Sequence, residues 1–580
     1  MIQSKHKQFH IFSLIFSALI IALSSCSLVS PPAESLKSQI DPKKWTPWEF
    51  SHTLSSTGDR EIDLRNINVK NQGIILQNVG DRNIKNPWVV LNGKRDWFDS
   101  DSILREAIGN ETDPKKKAFL IWRFIIHKRY HFSPAEGGSE VHDPVKFFNV
   151  YGYGLCDDSA RNAEALFTKA GLKARTWGIS GHVIPEVFYN NDWRMLDPDH
   201  GVFYPEMDNE TVAGVEDCAK NGDLVRRVSS SGIAKLYTTT GNNAAGQNAW
   251  RTKHTMSMTL RPDESCERYF SNNGKYHDNC HHKIPPRYGN GKFVYHPDLN
   301  SNIFTKGFEI VENIETVSDS GEIPAIRIKN PESPGIMICK MESPYVFVGG
   351  EVSFNHFLKS RADYIDVHFS KDKRRWRMIS RETGESGESR LDLDSLIAPR
   401  KTNACYKFWI KITMRGNEKG DVGLNDLKIT GEFQCSPRSL PKFAPNKINH
   451  LSIRMDSNQS PLTVTHLCKL RGSYTETDVP SITSHENDCV IHTTTPKFSW
   501  RTGNKEKNLA RTRICISWDK EWILPVSPPL DITLKNNRHS WKTPSGWLVP
   551  GKTYYCRVRT KPKHLPWSEW SDAVKFTISE

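Results

Sequence analysis

Val150-Tyr151-Gly152-Tyr153-Gly154-Leu155-Cys156-Asp157-Asp158-Ser159-Ala160-Arg161 is the stretch densest in chemistry. Glycines precede a cysteine, and a helical pattern starts at it. Ala160, Ala163, Leu166 and Phe167 recur as one apolar stripe. Asp157, Asp158 and Ser159 suit a first turn, where acidic groups meet the positive end of the helix dipole. The pattern places Cys156 at a helix N-terminus, where free amides favour a thiolate and its own N–H is available to an oxyanion.

Reading on, Ala174 to Ser180 is a strand. Gly181-His182-Val183-Ile184-Pro185-Glu186-Val187-Phe188-Tyr189 is a second, Asn190-Asn191-Asp192 a turn, and Trp193-Arg194-Met195-Leu196-Asp197-Pro198-Asp199 a third. A hairpin sets the start of the second strand beside the end of the third. His182 and Asp197 are thus expected to meet. Cys, His and Asp follow in order, each at an element end, which is the logic of nucleophile, base and orienting carboxylate. Asp199 is the rival for the third role. Asn149, Tyr151 and Tyr153 stay open as a second oxyanion donor. Taken singly, Cys156 reads as a buried or bridged cysteine and His182 as a core histidine.

Gly154-Leu155-Cys156, His182 with Glu186-Val187, and Trp193 with Asp197 together resemble the transglutaminase-like superfamily of papain-like thiol enzymes. The resemblance covers about 110 residues. It implies an α+β papain-like core, with Cys156 as nucleophile, His182 as general base and acid, and Asp197 as orienting carboxylate. Pro185 departs from the family pattern and, lacking an N–H, implies an edge or bulge there.

The N-terminus sets the expected compartment. Lys5 and Lys7 precede an apolar run from Ile11 to Leu23, short for a membrane span and of signal-peptide length. Leu23-Ser24-Ser25-Cys26 resembles the bacterial lipoprotein box, which implies lipid on Cys26. The expected location is the bacterial cell envelope outside the cytoplasm, with the outer membrane favoured because no Asp follows Cys26.

The expected organisation is multidomain: a lipoprotein signal peptide (1–25), a tether (26–44), a small β-rich region (45–98), the transglutaminase-like domain (99–215), an irregular β-rich region (216–325), a jelly-roll-like β-sandwich (326–436) and a C-terminal domain (446–580). In the last, Tyr554-Tyr555-Cys556-Arg557-Val558-Arg559 and Trp567-Ser568-Glu569-Trp570-Ser571 resemble a fibronectin type III module, with tryptophan faces stacked on Arg557 and Arg559. The fold class expected is therefore α+β with all-β accessory domains.

Twelve cysteines in an exported chain imply disulfides once Cys26 and Cys156 are set aside. Cys266–Cys280, Cys468–Cys489 and Cys515–Cys556 are the pairings expected. His277, Cys280, His281 and His282 match no zinc spacing, so neither metal nor cofactor is expected. Lys+Arg 79 against Asp+Glu 66 gives a net charge of +13, which favours acidic surroundings without naming one.

The reading that follows is a lipid-anchored thiol enzyme that cleaves or transfers amide acyl groups through a Cys thioester, with hydrolysis favoured. It is a cysteine peptidase, an amidase or an acyltransferase. Its substrate is a protein or peptide, peptidoglycan peptides included. An acidic polysaccharide is a further partner, the membrane is reached through Cys26, and nucleic acid is not expected. The alternative is a non-catalytic surface adhesin or scaffold with a degenerate transglutaminase-like domain. The length and strand-rich accessory segments motivate it.

Overall fold

The computed structural model describes residues 40–95, 97–132, 139–239, 244–246, 253–272, 275, 290–317, 324–397, 403–456, 460–503, 509–535 and 537–580. The signal peptide, the tether up to residue 39 with its Cys26, and the His277 to His282 cluster lie outside them. Among the described residues, no helix is long and apolar enough to cross a membrane.

Strands dominate. A 14-stranded sheet runs from Thr46–Leu54 through Leu462–Arg471, Asn68–Asn78, Glu264–Tyr269, Asn290–Tyr295 and Val422–Gln434. It continues through Gly335–Leu358, Cys405–Arg415 and Tyr364–Ser370 to Arg377–Thr383. These neighbours are antiparallel. Side chains alternate between buried and open faces, as in Glu264–Tyr269, which is why these segments settle as strands. The 24-residue Gly335–Leu358 shifts register between Glu342 and Phe347. Its first half pairs with Cys405–Arg415, and its second half lies between Val422–Gln434 and Gly387–Asp392.

Helices Ser100–Ile108, Pro114–Lys128 and Cys156–Lys169 pack on one another, and the last lies against the strands Lys173–Ile179 and His182–Tyr189. Asp113 caps the second by accepting from the Lys116 N–H at 2.8 Å, and Pro114 fills its first position, as Thr112-Asp113-Pro114 implies. A smaller four-stranded sheet has the order Asp192–Met195, His182–Tyr189, Lys173–Ile179, Ala244–Gly246. The stretch after residue 215, expected to be irregular β structure, opens with short helices Val215–Lys220, Gly222–Arg226 and Ser231–Thr238.

The fold class is corrected accordingly. The expectation was a papain-like α+β core with appended sandwiches. The structure is strand-dominated with large sheets; one hydrophobic core gathers residues from Ile62 to Leu470, and a smaller separate core around Trp177, Ile184, Met195, Tyr204 and Tyr237 underlies the four-stranded sheet. The helices bury their aromatic faces in the larger core: Phe119, Trp122, Phe124, Phe147 and Phe148 belong to it. Trp97 meets Phe124 at 5.3 Å and Phe124 meets Phe148 at 5.1 Å. Gly152 joins the two parts. Its φ of 69° suits glycine, and a Cβ there would overlap Ser436. The Ser436 N–H donates to the Asn149 carbonyl at 2.8 Å. Local periodicity shows the helices but not which sheet covers them.

The C-terminal part is a two-sheet unit with its own core around Phe498, Trp500, Ile514, Tyr554 and Phe576. Its five-stranded sheet has the order Cys489–Ile491, Val574–Ile578, Thr553–Pro562, Leu509–Ser517, Asp531–Lys535. On its surface Arg557 lies over Trp522 at 4.0 Å and Trp570 at 4.2 Å. Arg559 lies over Trp567 at 4.8 Å and Trp570 at 4.6 Å.

The disulfide expectation is also corrected. Cys468, Cys489, Cys515 and Cys556 are free thiols, and no disulfide joins described residues. Cys468 lies in the large sheet and Cys489 in the C-terminal unit. Cys515 sits opposite Arg557, and Cys556 opposite Ile516. The two cysteines are one register step apart and point to opposite faces of the sheet. Cys280, the third pair's partner for Cys266, lies outside the described residues.

Candidate functional site

Cys156 opens the helix Cys156–Lys169 and is half-buried. The Leu155 N–H donates to Asp158 Oδ2 at 2.8 Å and fixes the entry of the chain. His182 begins its strand, which pairs antiparallel with Lys173–Ile179 and Asp192–Met195. Asp197 follows the third strand in a tight turn closed by Val202.

The hairpin brings His182 and Asp197 together, with Nε2 to Oδ2 at 2.7 Å. Asp197 is fully buried. It also accepts a short hydrogen bond from the Tyr237 hydroxyl and bonds at 2.7 Å and 3.3 Å from the N–H groups of Asp199 and His200. The His200 ring stacks on His182 at 4.5 Å, and His200 Nδ1 is 2.8 Å from the Tyr237 hydroxyl. Cys156 reaches this group through a side-chain hydrogen bond to His182. Burial opposes charge on His182, but the bonds to Asp197 and Cys156 outweigh it and raise its pKa to about 10. Burial likewise opposes charge on Asp197, and His182 and Tyr237 overcome it, holding the carboxyl below its ordinary range. His182 and Asp197 are therefore an imidazolium–carboxylate pair at neutral pH.

Asp199, the rival carboxylate, is committed elsewhere: Arg129 Nη2 donates to it at 2.7 Å and His131 Nδ1 lies at 2.8 Å. Asn149 is used up by the backbone of Trp97 and Val145. Tyr153 receives a bond from Gln434 at 3.4 Å. Tyr151 is fully buried beside Tyr406. Glu186 braces the hairpin by accepting from Arg175 Nε at 2.6 Å, from the Trp177 indole and from the Val215 N–H at 2.7 Å.

Sequence reasoning missed His200 and Tyr237. His200 was legible as a near neighbour of Asp197. Tyr237 lies 40 residues beyond Asp197, on a helix without a marked start, and no local signal ties it there. A second cluster joins His142 Nε2 to Asp158 Oδ1 at 3.1 Å and to Asp157 Oδ2 at 3.7 Å.

The family described as the Rha78A-like, N-terminal immunoglobulin domain matches residues 478–579. The C-terminal unit is similar to an immunoglobulin domain, which corrects the fibronectin type III resemblance. No curated protein matches the chain in sequence. Among solved structures, a β-1,2-glucanase from Parabacteroides distasonis aligns at 12% identity over 47% of this chain and 36% of that one, with a TM-score of 0.14. The Endo-D glycoside hydrolase domain from Streptococcus pneumoniae R6 aligns at 11% identity over 50% and 33%, with a TM-score of 0.13. Domains FN1–FN3 of chicken CNTN1 align at 11% identity over 50% and 77%, with a TM-score of 0.14. The chain spans about a third of the length of the first two, at 36% and 33%.

The transglutaminase-like resemblance and the thiol-enzyme expectation do not hold in the structure. The acid–imidazole cluster that the fold closes consists of His182, Asp197 and His200, and Cys156 is not a member of it. Cys156 touches its margin, at His182. In place of a self-contained papain-like body, the helices share the strand-rich core. Among the described residues no thioester-forming site is found, and the peptidase, hydrolase and acyltransferase expectations are not supported.

Proposed function

We propose that the chain is a non-catalytic multidomain scaffold, held outside the cytoplasm through Cys26, that presents strand-rich surfaces to envelope or extracellular partners. One observation carries this reading: a large hydrophobic core gathers residues from Ile62 to Leu470 into one strand-dominated body, and an immunoglobulin-like unit follows it. Arg123 ties the two by donating to the carbonyls of Trp522 at 2.5 Å and Ile523 at 3.0 Å. In this reading the His182–Asp197 pair is a polar brace. It fixes the hairpin against the helix Ser231–Thr238 through Tyr237.

The test is steady-state assay of the full chain against peptide amides, glutaminyl donors with amine acceptors, and peptidoglycan peptides. The scaffold reading predicts no product, in wild type or in Cys156→Ala. Product made by wild type and lost in Cys156→Ala overturns it.

A further inference from the structure

We infer that the outer face of the sheet edge formed by Cys405–Arg415, Tyr364–Ser370 and Arg377–Thr383 binds an acidic polysaccharide. The turn before the last strand reads Lys371-Asp372-Lys373-Arg374-Arg375-Trp376-Arg377. Arg377–Thr383 ends the sheet order, so this turn and strand stand at its rim. Lys407, Lys411 and Arg415 alternate along their strand and share one face. Lys411 lies opposite His368, and His368 lies opposite Met378, so the face continues across the sheet. Trp376 folds from the turn onto this face, with Lys411 Nζ 4.8 Å from its ring centre.

Three carboxylates of the region are already matched to cations, and Glu382 of the edge strand accepts from the Ser380 hydroxyl. Arg381 donates to both oxygens of Asp366 at 2.6 and 2.7 Å. Arg375 holds Asp372 at 2.9 Å, and Lys373 holds Glu309 at 2.8 Å. Among the described residues, Arg374, Arg377, Lys407, Lys411 and Arg415 have no carboxylate within 4 Å. Arg374, Arg377 and Lys407 are exposed. Arg374, Lys407, Lys411 and Arg415 leave a surplus of cations on the face that carries the half-buried indole, while Arg377, opposite Phe369, lies on the other face of the edge strand.

That combination selects the partner. Rows of cations on an open sheet face suit a chain that repeats its negative charge, and guanidinium groups pair two-pronged with carboxylates or sulfates. The indole offers a flat apolar face for a sugar ring. A protein partner needs an apolar interface centre, and this face offers little beyond Met378, which is 48% exposed. The inference rests on the scaffold reading only in taking the ligand to be bound and not turned over.

Binding of the full chain to polygalacturonate, with dextran, polyphosphate and phosphatidylglycerol vesicles alongside, tests it. Polygalacturonate should bind and dextran should not, and affinity should fall steeply as salt rises. Arg374→Glu combined with Lys411→Glu should weaken polygalacturonate binding by about tenfold or more, without change in Tm. Trp376→Ala should weaken polygalacturonate binding and leave polyphosphate binding unchanged, because only the sugar stacks. Absence of polygalacturonate binding at low salt overturns the inference, as do variants that bind like wild type. Vesicle binding that exceeds polygalacturonate binding and ignores Trp376 also overturns it, assigning the face to a membrane surface. Loss of this binding site leaves the scaffold reading standing, whereas peptide turnover would defeat that reading and leave this one intact.

Discussion

Asp197 is the residue on which the candidate site turns. It is fully buried, and it accepts from His182, from Tyr237 and from two backbone N–H groups. Removing it leaves a buried imidazolium without its counter-charge. Asp197→Ala should therefore cost about 3–5 kcal/mol in urea unfolding. A cost near zero would show that the pair braces nothing. His182 adds a pH signature. Its folded pKa of about 10 lies above its ordinary 6.5, so the stability it contributes is fully present below pH 6.5 and is lost as pH rises toward 10. Melting curves between those limits should show Tm falling in wild type, with a shallower fall in His182→Gln. Parallel slopes would contradict the assigned shift.

At the scale of elements, the Arg–Trp ladder of the C-terminal unit gives a graded prediction. Trp570 sits between Arg557 and Arg559, whereas Trp567 stacks with Arg559 alone. At about 0.5–2 kcal/mol per contact, Trp570→Ala should destabilise the unit more than Trp567→Ala in denaturant unfolding. The reverse order would contradict the ladder. Much at this scale is legible in sequence. Asp113-Pro114 announces a helix start, Asn190-Asn191 a tight turn, and the arginines and tryptophans their stacking. The hairpin arithmetic places His182 beside Asp197 because a two-residue turn fixes register. What is not legible depends on distant packing. Tyr237 reaches Asp197 from another helix, and Cys515 misses Cys556 by one register step that no local pattern records.

At the scale of the molecule, the resemblance of three short motifs pointed to a self-contained papain-like body, because each motif is local. The structure shows one core shared by segments hundreds of residues apart. Thr46–Leu54 pairs along its whole length with Leu462–Arg471, and its Thr53 meets Thr463 across a separation of 410 residues. Sequence spacing carries no trace of such a pairing. Among the described residues stability then rests on the buried core and not on cross-links. Reductant should leave the Tm of the full chain unchanged, whereas loss of a native disulfide would cost about 2–5 kcal/mol and lower it visibly.

The strand-rich body is proposed to present surfaces and to perform no acyl chemistry. The most direct test is a single-turnover experiment, with stoichiometric full chain and peptide substrates followed by intact-protein mass and by product. The account predicts no acyl adduct on Cys156 and no product. A transient adduct at Cys156 that decays to product, and is absent in Cys156→Ala, would contradict it.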